Sequence, residues 1–212
     1  MLENASRPLL LIAALALGLL GASGCGGSSS SSPAAKGSSA GGGGAAPEGA
    51  AALAADAKSA ATGDIPDTQN FLTLKASRLR VSMLYPEGWT VREAQSAVSI
   101  TDKNNLVHIS VGNGRAPTTV SVDAQLAALK RSTPDLKTNA AQASPLKTGL
   151  AVKATYTTLS APNPVTGKQI VLTVDRYELA HGGRVATIDL GTPVGVDNVD
   201  AYKRMIASFK WL

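Results

Sequence analysis

Aromatic and charged residues are scarce in this sequence, and its first third contains no aromatic residue at all. Aromatic residues make up 4% and charged residues 17% of the 212 positions, and both fractions are low for an ordinary soluble domain. Leu53 is the only large aliphatic residue between residues 26 and 64. Because the first third cannot form a hydrophobic core, residues 65–212 are expected to fold alone, as one domain of 148 residues (212 − 64). This length excludes a two-domain enzyme.

Cysteine occurs once, at Cys25, which excludes an intramolecular disulfide. Before Cys25, Arg7 precedes an apolar run over residues 9–20, and the small residues 21–24 follow that run. The run is too short to span a bilayer, which requires about 20 apolar residues, whereas this order of segments is typical of a secretory signal. We therefore expect residues 1–24 to be a signal peptide.

The stretch Ala22-Ser23-Gly24-Cys25 resembles the lipobox of bacterial lipoproteins, although that motif usually begins with Leu. The resemblance implies that a diacylglyceryl group is attached to Cys25, that the signal is cut before it, and that the new amino terminus is acylated as well. Two or three acyl chains hold a protein firmly on a membrane, here the extracytoplasmic face of the bacterial cell membrane. The alternative is an ordinary secretory signal that leaves Cys25 as a free thiol.

Residues 25–64 consist mostly of Gly, Ser and Ala, including the runs 28–32 and 41–44. This composition cannot compensate the entropy cost of ordering the chain, so the sequence predicts a disordered tether. About 40 flexible residues have a root-mean-square reach of roughly 35 Å.

Alternation of apolar and polar residues in the remaining chain predicts several strands. Turn residues at 102–105 and 181–183 predict two tight hairpins. The predicted strands are a short one around Phe71 and Leu74, followed by 79–84, 98–101, 106–111, 150–156, 170–179 and 185–190.

Two helices are predicted between and after these strands. The first is capped by Ser121 and carries apolar residues at i, i+4 and i+7, and the second is capped by Asp197. Together the patterns predict an α+β fold in which two or more helices cover a mainly antiparallel sheet. The apolar stripes are Val122, Leu126 and Leu129 on the first helix, and Tyr202, Met205, Ile206 and Phe209 on the second.

Three short motifs connect this pattern to a known fold. The turn Tyr85-Pro86-Glu87-Gly88-Trp89, the Tyr177 strand with its Gly-Gly hairpin, and the closing Ser208-Phe209-Lys210 resemble the PsbP-like α/β/α sandwich over nearly all of residues 70–212. That fold includes bacterial lipoproteins of the LpqN and DcrB type. The resemblance implies a domain that acts by binding and gives no catalytic residue to assign.

Residues with chemical potential are few. His108 and His181 are the only histidines, and neither has a second metal ligand at helical spacing. The sequence has no Gly-x-Ser-x-Gly motif for a hydrolase nucleophile. Trp89 and Trp211 could stack on a ligand, but core packing with a satisfied indole N–H is the simpler expectation. We therefore expect no metal, no cofactor and no catalytic residue.

The domain has a modest positive charge. Residues 65–212 contain 17 Lys and Arg against 11 Asp and Glu, scattered singly or in pairs, without the basic stripe and interleaved aromatics of a nucleic-acid groove. A weak attraction to anionic membranes is the simpler consequence. The sequence thus predicts a monomeric, membrane-anchored, non-catalytic domain that binds a protein partner or a small ligand and no nucleic acid. The alternative is an envelope enzyme with a dispersed active site.

Overall fold

The computed structural model describes residues 63–133, 136–163 and 165–212. Cys25, the predicted signal peptide and nearly all of the predicted tether lie outside the described residues. In chain order the elements are β1 (Phe71–Ala76), β2 (Val81–Pro86), β3 (Thr90–Glu93), β4 (Ala97–Asp102), β5 (Asn105–Asn113), α1 (Thr119–Ser132), β6 (Gln142–Leu146), β7 (Gly149–Leu159), β8 (Val171–His181), β9 (Arg184–Pro193), α2 (Val199–Ala207) and β10 (Lys210–Trp211).

These strands form two antiparallel sheets. The larger sheet has seven strands in the order β3-β4-β5-β9-β8-β7-β6, and the smaller has three in the order β1-β2-β10. The α+β fold with a mainly antiparallel sheet and two helices is therefore confirmed for the described part of the chain.

Both predicted tight hairpins are present. β4 and β5 are joined by two residues, of which Lys103 has a φ of 51°. Gly182 and Gly183 join β8 to β9 with φ values of 56° and 76°. Positive φ at both central positions matches the right-handed twist of the flanking strands, and glycine adopts it without a steric penalty.

The caps of both helices differ by a few residues from the sequence prediction. Thr118, not Ser121, caps α1, and the two residues form a reciprocal capping box in which each side chain bonds the other's backbone N–H. Asn198, not Asp197, is the N-cap residue of α2, although Asp197 Oδ1 accepts a bond from Val199 N–H. Spacing alone did not distinguish neighbouring capping residues.

The larger sheet is covered on both faces. On one face lie α2 and the smaller sheet, with a core that includes Met83, Ile109, Ile188, Met205 and Phe209. α2 ends at Ala207, so Phe209 lies just beyond the helix, yet it is fully buried. The other face holds a second cluster, in which α1 packs on β7 and β8; its buried members are Val122, Leu126, Leu136, Val152, Ala154, Tyr156, Leu172 and Val174.

Hydrogen bonds fix the chain where it enters the domain. The carbonyl of Gly63 accepts bonds from the side-chain amides of Asn105 (2.5 Å) and Asn198 (3.1 Å). The backbone N–H of Ile65 donates to Asn198 Oδ1 at 2.8 Å. Gly63, which the sequence placed at the end of the tether, thus makes contacts that belong to the domain.

Candidate functional site

A row of polar side chains crosses the α1 face of the larger sheet. The strand register places Ser99 opposite His108, His108 opposite Asp189, and Asp189 opposite Arg176. Directly paired residues of an antiparallel sheet project on the same face. Four residues that lie far apart in the sequence are therefore brought into one line across β4, β5, β9 and β8.

The strongest interaction in this row joins Arg176 to Asp189. Arg176 Nε donates to Asp189 Oδ1 and Arg176 Nη2 donates to Asp189 Oδ2, each at 2.7 Å, which is a bidentate pair. Burial disfavours the charged guanidinium, but the hydrogen bonds and charge of Asp189 outweigh burial and raise the pKa of Arg176. Both side chains are mostly buried, so the pair holds β8 and β9 in a fixed register.

Tyr156 extends this row toward α1. Its hydroxyl accepts a bond of 3.4 Å from Arg176 Nη2, and the guanidinium lies 5.3 Å from the centre of its ring. Burial, reinforced by the charge of Asp189, raises the pKa of Tyr156 to about 12. Tyr156 is therefore neutral at physiological pH and acts here as a packing and hydrogen-bonding group.

Ser99 and His108 form a pair with some chemical potential. Ser99 Oγ lies 3.0 Å from His108 Nδ1, within the range in which a histidine can accept a hydroxyl proton. In a serine hydrolase a carboxylate orients the histidine through its other nitrogen. Here both oxygens of the nearest paired carboxylate, Asp189, are held by Arg176. The arrangement resembles a polar ladder more closely than a catalytic triad.

Glu178 is the most deeply buried carboxylate of this face. It is 2% exposed, and its Oε2 accepts a bond of 3.2 Å from Gln125 of α1. Its Oε1 has no hydrogen-bond partner within residues 63–133, 136–163 and 165–212. The Gln125 contact ties α1 to β8.

A shallow groove of about 490 Å³ lies where the chain enters the domain. The four carboxylates Asp64, Asp67, Asp197 and Asp200 line it. In the described part of the chain, no three potential metal-ligating side chains converge. The same described residues contain no helix that is long and apolar enough to cross a membrane.

The two tryptophans have different environments. Trp89 is 9% exposed and belongs to the core, as the packing expectation requires. Trp211 is half-buried beneath His181, with ring centres 5.8 Å apart, and its indole N–H has no hydrogen-bond partner among the described residues. The expectation of a satisfied indole N–H is therefore wrong for Trp211.

Comparison with known proteins places this architecture among solved folds. No protein-family model matches the sequence, and no curated protein matches it significantly. The structure is similar to that of cyanobacterial PsbP (CyanoP) from Synechocystis sp. PCC 6803, with a TM-score of 0.51, 14% identity, and coverage of 71% of this chain and 98% of that one. A weaker likeness, with a TM-score of 0.47 and 9% identity over 68% of this chain and 96% of the other, is to the Ran-binding protein Mog1p of Saccharomyces cerevisiae. The described domain has a PsbP-like fold.

Proposed function

We propose that this protein is a bacterial lipoprotein, held on the extracytoplasmic face of the cell membrane by acyl chains on Cys25. One observation carries this proposal: the single cysteine of the sequence directly follows an apolar leader and four small residues. Two or three acyl chains on that residue suffice for stable anchoring, whereas one chain gives only marginal binding.

The folded domain, in this proposal, binds a protein partner or a small ligand and does not catalyse a reaction. The polar row supports this assignment because its charged members neutralise each other. Asp189 is bound on both oxygens by Arg176, and Tyr156 is held in its neutral form. Catalytic sites instead hold titratable groups poised to exchange protons near the working pH.

The composition of residues 26–62 is that of a flexible linker, which would let the domain search the region near the membrane.

The test is the substitution Cys25→Ser in the full chain, expressed in bacteria and followed by membrane fractionation. A serine hydroxyl does not replace the thiol in the lipidation reaction, so the variant should either move to the soluble fraction or remain unprocessed. Substituting Ser23→Ala, which keeps a small residue within the same motif, should leave fractionation unchanged. Membrane association of Cys25→Ser with an unaltered mature mass would contradict the proposal.

A further inference from the structure

The strand register gathers basic residues from distant parts of the sequence at one end of the domain. The β1–β2 turn, the segment after β5, the β6–β7 turn, the start of β9 and strand β10 all meet there. We call this surface the basic end and define it by six residues: Arg78, Arg80, Arg115, Lys147, Arg184 and Lys210.

Direct contacts show that these segments are neighbours. Arg184 donates to the carbonyl of Leu79 and lies over Trp211, with 5.2 Å from its Cζ to the ring centre. Gly114 N–H donates to the carbonyl of Gly183 at 3.0 Å. Lys147 and Lys210 line the same shallow pocket of about 370 Å³. The cations of both sheets therefore form one surface.

The basic end carries little compensating negative charge. Segments 77–80, 112–118, 147–149, 181–184 and 208–212 contain no Asp or Glu. Within the described ranges no salt bridge involves any of its six cations. Glu93 is the last residue of edge strand β3 and directly follows Arg92, and Glu178 is buried beside α1. Six of the domain's 17 cations thus lie together without an acidic partner.

Apolar groups are interleaved with these charges. Leu150 is 66% exposed and Leu212 is 55% exposed, and both lie next to basic-end residues. Trp211 is half-buried between Arg184 and His181, with a buried indole N–H that no described residue satisfies. Leucine, tryptophan and flexible cations on one surface are typical of proteins that contact the membrane interface.

We propose that the basic end binds an anionic phospholipid surface. An acidic protein is the competing partner, but the cations and the exposed Leu150 and Leu212 are distributed over several turns and strand ends, which suits a lipid headgroup layer better than a single binding groove. The inference rests on the proposed function only for the presence of a nearby membrane.

Gly63 lies at the end of the domain opposite the basic end, since β5 leads away from Asn105 for nine residues, or roughly 27 Å. A linker of about 37 residues has a comparable root-mean-square reach of roughly 35 Å, so the domain can turn its basic end toward the membrane that anchors it.

The experiment uses the full, unlipidated chain in phospholipid vesicles and reads Trp211 fluorescence. The vesicles contain phospholipids with brominated acyl chains, and bromine quenches the fluorescence of a tryptophan only when that tryptophan reaches the bilayer. Subtracting the signal of Trp211→Phe removes the contribution of Trp89 and leaves that of Trp211. We expect quenching in vesicles with about 30% anionic lipid, none in zwitterionic vesicles, and reversal by about 0.5 M salt. The leader is identical in the two charge variants compared next, so it cannot produce a difference between them.

Two variants with equal net charge separate the basic end from overall charge. One replaces Arg78, Arg115 and Lys210 with Gln, and the control replaces Lys130, Lys137 and Lys168 with Gln. At roughly 1 kcal/mol per cation near an anionic surface, the first variant should shift the ratio of docked to undocked domain by about 100-fold. The control should dock as the wild type does.

Other results would overturn the inference. Equal quenching of Trp211 in anionic and zwitterionic vesicles, or equal behaviour of the two variants, would contradict it. A change of Trp211 fluorescence with soluble polyglutamate, combined with no response to anionic vesicles, would assign the basic end to an acidic protein instead. None of these outcomes depends on lipidation of Cys25, so this inference and the proposed function fail separately.

Discussion

Substitution of Asn198 should show most clearly that the folded domain includes the entering residues 63–65. Asn198 is 2% exposed. It accepts from Ile65 N–H at 2.8 Å and lies within hydrogen-bond distance of the Gly63 carbonyl, Asn105 Oδ1 and Thr192 Oγ1. One amide thus joins the entering chain to the start of β5, the end of β9 and the start of α2.

The substitution Asn198→Ala removes the acceptor of Ile65 N–H and one donor to the Gly63 carbonyl. A buried polar group left without a partner costs about 1 to 3 kcal/mol. Only Ile65 N–H is left without a partner, because the Gly63 carbonyl keeps its bond from Asn105. The free energy of unfolding should therefore fall by about 1 to 3 kcal/mol. A small cavity would add to this cost.

Urea unfolding of a chain that begins at Ala45, which retains Gly63, measures this loss. At about 1 to 3 kcal/mol per molar urea, the midpoint should decrease by roughly 1 M. Asn163 is the matched control, because its Oδ1 also accepts from backbone N–H groups, those of Val165 and Thr166, but the residue is exposed. Asn163→Ala should cost less than about 1 kcal/mol. Equal losses for the two variants would refute the reasoning.

Two further predictions concern the core and the buried tyrosines. Phe209→Ala should lower the free energy of unfolding by about 3 to 5 kcal/mol because the ring is fully buried. Val199→Ala, at an exposed site, is the control. A loss under about 1 kcal/mol for Phe209→Ala, measured by urea unfolding, would contradict the packing. Stability should also fall as pH rises from about 10 to 12, because burial raises the pKa of Tyr156 to about 12 and also raises those of Tyr177 and Tyr202. The folded state keeps these hydroxyls protonated, whereas those of the unfolded chain ionise. The urea midpoint should therefore be lower at pH 12 than at pH 10. Equal midpoints would show that the tyrosines are accessible.

The fold was largely predictable from the sequence where local chemistry is strong. The Gly182-Gly183 turn and the stripe of Tyr202, Met205 and Ile206 on α2 lie where the pattern indicated. Strands β3, β6 and β10 were missed because they are short or polar. β6 even contains Pro145, which has no backbone N–H to donate and is tolerated because β6 is an edge strand.

The candidate sites were much harder to predict, because they depend on strand register. Ser99, His108, Arg176 and Asp189 have no motif spacing, and only the pairing of β4, β5, β9 and β8 aligns them. The cations of the basic end looked scattered for the same reason. A further clue that sequence alone could not interpret was the pair Asn105 and Asn198, whose amides meet only in the folded chain.

The most direct test of the proposed function is the mass of the amino-terminal peptide of the mature protein, isolated from bacterial membranes and measured by mass spectrometry. Lipidation predicts that this peptide begins at Cys25 and carries the mass of a diacylglyceryl group, with or without a further acyl chain on its amine. A mature protein that begins at another residue, or at an unmodified Cys25, would contradict the account.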